Sequence, residues 1–253
     1  MKVSTKAVIL AAGRGTRLLP LTKNTCKALL LLNNKPIIEY ALDTLSDCGI
    51  EQAVIVVGHC GDEFKKRLGN KYKNVAIEYI YNPIYEKTNS TYSLWLAKDS
   101  VKNDIIVINA DTICPRIVME EMLKTSHSIA MAVDETLTGE LSEDAMKVTI
   151  VDGLIKNASK KIPPKDTHGD AIGIYRFQND GVVVLYEELK KVVEENILDQ
   201  LFTFAVQRIM DKNNVRPVNT RGLLWIEIDD HKDLKNAEKI VKDILKLDEQ
   251  DRL

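Results

Sequence analysis

The 253-residue sequence has no long apolar run; nothing in it approaches the roughly 20 residues that span a bilayer. A membrane partner is therefore not expected. The opening Met-Lys-Val-Ser-Thr-Lys passes straight into a strand-like stretch and does not read as a signal peptide. Cysteine is scarce. Cys26, Cys48, Cys60 and Cys114 stand alone, with no C-x-x-C pair, which excludes a disulfide scaffold and a thiolate metal site. Reduced thiols and a cytoplasmic setting are expected. The histidines are equally isolated: His59, His127, His168 and His231 show no metal-ligand spacing. Neither sign of charge dominates, since 35 Lys and Arg face 37 Asp and Glu for a net charge of −2. A nucleic-acid binder usually carries a basic excess, so none is expected as a partner. Two familiar glycine motifs are also missing. The dinucleotide fingerprint would need glycine at the position held by Leu18, and no Walker string occurs.

What is present is a rhythm of short apolar strands and amphipathic helices. Strands are read at Lys6–Ala12, Gln52–Val57, Val75–Tyr81, Asp104–Asn109 and Ser128–Val133. Between them, helices are read at Pro36–Asp47, Gly61–Leu68, Ser90–Lys98 and Pro115–Lys124, with Gly49 ending the first and Asn89 capping the third. Such alternation predicts an α/β fold with a mostly parallel sheet covered on both faces. The second half is less regular. A hairpin is expected around Asp152-Gly153, between Met146–Val151 and Leu154–Ala158. A strand at Ala171–Phe177 follows, then helices near Val182–Glu195 and Leu198–Lys212. Strands at Arg216–Val218 and Leu223–Ile228 precede a last helix at Lys232–Leu247 and a frayed tail. No Pro-, Gly- or Ser-rich linker and no repeat divide the chain. One domain over residues 1–253 is expected. Its regular part would be about 1–135, and the irregular part, about 136–247, would serve as a lid or substrate subregion.

The loop after the first strand reads Leu-Ala-Ala-Gly-Arg-Gly-Thr-Arg over residues 10–17. A loop there lies at the carboxyl end of the sheet, where open α/β sheets bind ligands. Gly13 and Gly15 allow a phosphate close to the backbone, and Arg14, Arg17, Lys23 and Lys27 surround it with positive charge. Acids are placed to complement them. Asp111 follows the fourth strand and Asp229 the late one, and Glu227, two residues earlier, shares a strand face with Asp229. Oxygen ligands of this kind suit Mg²⁺, which bridges substrate phosphates. Asp230 is the candidate helix cap.

The string L-A-A-G-x-G-T-R-L-x-P-L-T-x-x-x-x-K-A-L, residues 10–29, resembles the signature of the sugar-nucleotidyltransferase superfamily. Asn82–Ala97, Asp144–Val148, Gly169–Ile174 and Trp225–Leu234 extend the resemblance toward the phosphocholine-cytidylyltransferase-like branch. Two departures are visible: Cys26 stands where the family has proline, and Asp170 where it has glutamate. The resemblance implies a Rossmann-like nucleotidyltransferase fold and a Mg²⁺-dependent reaction. In it, a phosphate or phosphonate oxygen of a small headgroup attacks the α-phosphorus of CTP and pyrophosphate leaves. It implies nucleotide contacts from Leu10, Ala11, Ala12, Gly13, Gly15, Thr16, Arg17, Asn89, Ser90 and Asp111. Arg17, Lys27 and Lys147 would be catalytic, the last meeting the acceptor phosphate. Tyr92, Asp144, Lys147, Asp170 and Trp225 would bind the acceptor, and Asp111, Asp229 and Glu227 the metal.

The headgroup stays open. Tyr85, Tyr92, Trp95, Tyr175 and Trp225 are available to a quaternary ammonium, and Glu140, Asp144 and Asp170 to a primary amine. A sugar-1-phosphate or inositol-1-phosphate nucleotidyltransferase is the nearest alternative, and a non-catalytic nucleotide-binding regulator the alternative of another class. A homodimer is compatible with the sequence but not indicated by it.

Overall fold

A computed structural model describes residues 5–136 and 141–251; Glu140 lies outside them. The chain begins with β1 (Lys6–Ala11), a small ribbon of β2 (Leu31–Leu32) and β3 (Lys35–Pro36), and α1 (Ile37–Asp47). Next come β4 (Gln52–Val57), α2 (Gly61–Leu68), β5 (Lys71–Tyr72), β6 (Val75–Tyr81) and α3 (Ser90–Leu96). They are followed by β7 (Ile105–Asn109), β8 (Thr112–Ile113), α4 (Arg116–Lys124) and β9 (Ile129–Asp134). The second half holds β10 (Lys147–Val151), β11 (Leu154–Ala158), β12 (Gly169–Phe177), α5 (Asp180–Glu194) and α6 (Thr203–Met210). It closes with β13 (Val215–Asn219), β14 (Ile226–Glu227) and α7 (His231–Gln250).

Strands β7, β1, β4 and β6 lie side by side in parallel, the centre of a ten-stranded mixed sheet. Both faces of β7, β1 and β4 are buried, while β6 alternates buried and exposed residues. Along β1, Ala7, Ile9 and Ala11 join one core with α1, α2 and α4, while Val8 joins another with α3, α5 and α6. Continuous apolar strands follow from that double burial. Gly49, at φ +76°, stops α1, and Asn89 accepts a hydrogen bond from the Ser90 amide at the start of α3. Asp152 and Gly153 both have positive φ, as the tight β10–β11 turn requires.

Four expectations need correction. The strand after α4 does not extend the parallel row: β9 pairs antiparallel with β12 and parallel with β13. It is β12 that sits beside β7, antiparallel, although it comes later in the chain. The stretch 223–228 forms only two strand residues, Ile226–Glu227, in a separate ribbon with β8. The helix expected at 198–212 is confined to Thr203–Met210. α7 runs through Gln250, beyond the expected end at Leu247. The long strand β12 is the pivot. It changes partners around Gly173, whose φ is +82° and where an added Cβ would lie 2.7 Å from Thr112 Oγ1. Only glycine suits that bend.

A third, smaller core of Leu18, Leu32, Ile37, Tyr40, Ile113, Ile226 and Ile228 packs under Val241 and Ile244 of α7. It clamps the glycine loop and the β8–β14 ribbon to one another. Asp230 begins α7 with a capping box, accepting from the Lys232 and Asp233 amides at 2.7 and 2.9 Å. All four cysteines are free thiols, and Cys26 is pushed up to about 12 by burial. Among the described residues no helix is long and apolar enough to cross a membrane.

Candidate active site

The carboxyl ends of β1 and β7 open into a cavity of about 360 Å³. Leu10, Ala12, Gly13, Arg17, Lys27, Asn89, Ser90, Asp111, Asp144, Glu227 and Asp229 line it, so residues far apart in the chain meet here. Ala11, Gly15 and Thr16 line an adjoining cleft of about 240 Å³, which shares Leu10, Gly13, Arg17, Lys27, Asp111 and Asp229 with the first.

The two glycines have different tasks. Gly13 faces open space, with nothing within 4 Å of an added Cβ. Gly15 sits at φ +60° and would clash with Lys27 Cβ at 2.9 Å. Its carbonyl accepts from Thr22 Oγ1 at 2.7 Å. Gly15 therefore shapes the loop against Lys27, while Gly13 leaves room for a ligand.

Charged groups alternate across the floor. The Lys27 ammonium pairs with Asp111 Oδ2, and with Asp229 Oδ1 at 3.0 Å. Arg17 reaches the same Asp229 oxygen at 2.8 Å and pairs with Asp144 through its other terminal nitrogen. Lys160 approaches the second Asp144 oxygen at 3.5 Å. Burial works against the Lys27 charge, but Asp111 and Asp229 outweigh it and raise its pKa. Burial likewise opposes the Asp229 charge, and Lys27, Arg17 and Lys160 nevertheless hold it below the usual carboxylate range. Glu227 is pushed up to about 8 by burial and by its neighbours Asp111 and Asp229.

The donor set bears on the metal. Asp111 and Asp229 converge on one cationic position, and the other Asp111 oxygen, Oδ1, is buried without a hydrogen-bond partner. An orphaned buried carboxylate oxygen needs a partner, and a hard cation with substrate oxygens supplies one. These two residues fit Mg²⁺. No three acidic, histidine or cysteine side chains come together as a ligand set among the described residues. Glu227 instead accepts from Asn109 Nδ2 at 3.3 Å, so it does not complete a three-carboxylate set.

Four expected residues stand outside the lining of both cavities: Lys147, Tyr92, Asp170 and Trp225. The Lys147 side chain is buried, and its ammonium donates to the Glu143 and Lys160 carbonyls at 3.4 and 3.0 Å. It braces the wall that carries Asp144 and Lys160. Trp225 is also a brace, its indole donating to Asp134 Oδ2 at 2.8 Å. Asp170 is buried on β12 opposite Lys147, with burial pushing its carboxyl up to about 6. Tyr92 is half-buried on α3. Of the aromatics considered, Tyr85 and Tyr175 do reach the cavity.

Sequence reasoning missed Lys160 and Phe202. Nothing separates Lys160 from its neighbour Lys161 except the fold. Phe202 packs edge-on against Tyr175 with centroids 4.7 Å apart, and its amide donates to Ser90 Oγ at 2.9 Å. It comes from a stretch read as helix. Asn82, at the end of β6, was within reach of the strand-end rule. It donates to Thr88 Oγ1 and Ser93 Oγ at 3.0 and 3.1 Å.

A glycine loop, an arginine and lysines over converging carboxylates, set at the strand ends of this mixed sheet, have the chemistry that nucleotide transfer requires. The chain belongs to the nucleotidyl transferase family, whose model matches residues 6–243. Within that family its relatives include cytidylyltransferases. It is 31% identical over 251 residues to the CTP:phosphoglutamine cytidylyltransferase of Campylobacter jejuni, covering 90% of this chain and 97% of that protein. It is 44% identical over 106 residues to the choline-phosphate cytidylyltransferase of Streptococcus pneumoniae, 42% of this chain and 44% of that one. The solved CTP:phosphocholine cytidylyltransferase of Streptococcus pneumoniae matches with a TM-score of 0.74 and 26% identity, covering 94% of this chain and all of that one. The inositol-1-phosphate CTP transferase of T. maritima shares the fold, with a TM-score of 0.80 at 20% identity.

Proposed function

We propose that this nucleotidyltransferase is a Mg²⁺-dependent cytidylyltransferase for a small phosphorylated or phosphonylated headgroup. The observation that carries the reading is the meeting of Arg17, Lys27 and Lys160 with Asp111 and Asp229 in one cavity. The cytidylyl relatives support CTP as donor. Short polar groups on Asn82, Thr88, Asn89 and Ser93, with Tyr85 beside them, suit a flat hydrogen-bonding base.

In the reaction an acceptor oxygen forms a bond to the α-phosphorus of CTP, and the bond from that phosphorus to the bridging oxygen breaks. Pyrophosphate leaves with the electron pair. The acceptor is already an anion near neutral pH, so the site needs no general base. Arg17 and the Gly13 backbone hold the departing phosphates, and Lys27 neutralises charge gathering on the α-phosphate. Asp111 and Asp229 would hold Mg²⁺, which supplies charge neutralisation between donor and acceptor phosphates. Lys160, which shares Asp144 with Arg17, would supply the further phosphate-binding cation that the sequence suggested in Lys147. Beyond it, Tyr175 and Phe202 form an aromatic corner with Glu227 close by, suited to a cationic headgroup.

The test is pyrophosphate release with Mg²⁺, crossing five nucleoside triphosphates with phosphocholine, 2-aminoethylphosphonate, inositol-1-phosphate and glucose-1-phosphate. Release with CTP and a nitrogen-bearing acceptor is expected. Release only with UTP or dTTP and glucose-1-phosphate would overturn the reading.

A further inference from the structure

Asp144 was expected to bind the acceptor, yet both of its oxygens are engaged by cations from opposite walls. One meets Arg17, on the loop after β1, and the other meets Lys160, after β11, at 3.5 Å. Among the described residues Lys160 has no other ion pair. Among the described residues, each cation that lines the cleft is already paired. Arg17, Lys27 and Lys160 are matched by Asp111, Asp144 and Asp229. An incoming polyphosphate can gain one of these three cations only by displacing an acid.

The three acids are not equally movable. The Asp111 and Asp229 side chains are 14% and 20% exposed, while Asp144 is 59% exposed on a short turn. Exposed ion pairs of this kind are weak, because solvent screens them and long side chains lose freedom in holding them. Asp144 can therefore turn out to solvent at little cost, and the two cations it leaves face each other across a gap filled by a carboxylate.

We propose that the Asp144 carboxylate is a tethered competitor. It occupies, in the free protein, a site for a phosphate group held between Arg17 and Lys160, and it is expelled when a polyphosphate binds. The inference rests on the reading of these two cations as phosphate-binding groups. The arrangement keeps Arg17 and Lys160 in place and screened until a ligand of higher charge arrives. A carboxylate loses to a phosphate because the phosphate carries more charge and a third oxygen. Small monovalent anions gain no such advantage and are turned away.

The decisive experiment is titration of the full chain with inorganic tripolyphosphate by calorimetry, with no nucleotide present. Asp144→Asn removes the competing charge and keeps the shape. It should bind tripolyphosphate about three- to tenfold more tightly, the range expected for two weak pairs when 1.4 kcal/mol is a factor of ten. Asp144→Glu should bind like the parent protein. Glu143→Gln removes the same charge next door, at an exposed residue without an ion pair, and should change affinity less than twofold. Lys160→Met should weaken binding.

Unchanged or weaker binding by Asp144→Asn would overturn the proposal. So would an equal gain in Glu143→Gln, because net charge alone would then explain it. Thermal melting of each variant identifies any folding defect, and Asp144→Glu then carries the comparison. If the affinity gain appears but CTP is never turned over, the proposal stands and the cytidylyl reading falls. CTP turnover without the gain has the opposite meaning.

Discussion

Lys27 is the residue on which the site is most concentrated. Its ammonium joins two carboxylates that would otherwise repel, at the floor of the cavity proposed for the nucleotide. Lys27→Ala should lower the rate of pyrophosphate release by about 10²–10³, the loss typical of a charge-stabilising donor. Asp111→Ala should act similarly, while its orphaned oxygen makes tight Mg²⁺ binding the second quantity to lose, readable by calorimetry. Asp170 makes a different prediction, about stability. Its folded pKa is about 6 against an ordinary 3.8, so the folded state binds the proton more tightly than the unfolded one. That contribution is present at low pH and is lost as pH rises from about 4 to about 6. At neutral pH the buried charge then costs about 3 kcal/mol, at 1.36 kcal/mol per unit. Asp170→Asn should flatten this decline, visible as a melting temperature that no longer falls between pH 4 and 6.

At the scale of elements, Glu227 and Asp229 depend on a ribbon rather than on the main sheet. β14 is two residues long and carries Glu227, with Asp229 just beyond it. The Ile228 amide donates to the Asp111 carbonyl at 3.1 Å, which ties the two acids proposed to hold the metal together through the backbone. Trp225 fixes the approach to this ribbon by its bond to Asp134. Trp225→Phe keeps the ring's bulk and removes the donor. A fall of about tenfold in kcat is expected, since small displacements of reacting groups are costly. The acceptor KM should change little, because the indole does not line the cavity. A direct acceptor contact would produce the reverse split. The capping box of α7 supports the same ribbon from the other side. Asp230→Ala should lower the denaturant midpoint of unfolding, because the Lys232 and Asp233 amides lose their cap.

For the molecule as a whole, the cleft draws on every part of the chain, so ligand binding should stabilise all of it. CTP with Mg²⁺ at 100 times its Kd adds about 2.7 kcal/mol. For a chain of this length the melting temperature should rise by about 5–10 °C. Chelation of the divalent cation should remove most of that rise. The same wholeness explains what was legible in advance. β1, β4, β6 and β7 and the first four helices were readable because each buries a continuous apolar stretch or one clear stripe. The place of β12 was not, because an antiparallel strand buried on both faces has the same composition as a parallel one. Gly173 marks the bend, but its meaning depends on Thr112 and Asn109 lying against it.

The sequence by itself determined the chemistry on offer: a glycine loop rich in cations, acids at strand ends, and a helix cap at Asp230. Those features are local, set by residue type and by spacing along a single strand or turn. Only the tertiary structure decided which of them meet. It placed Lys160 in the cleft and withdrew Lys147, Asp170 and Trp225 into its supports. It also gave Asp144 to Arg17 across 127 positions of chain. Such pairings arise from strand order and from the packing of the small core beneath α7. Both are sums of weak contacts over distant residues, and no short stretch of sequence encodes them.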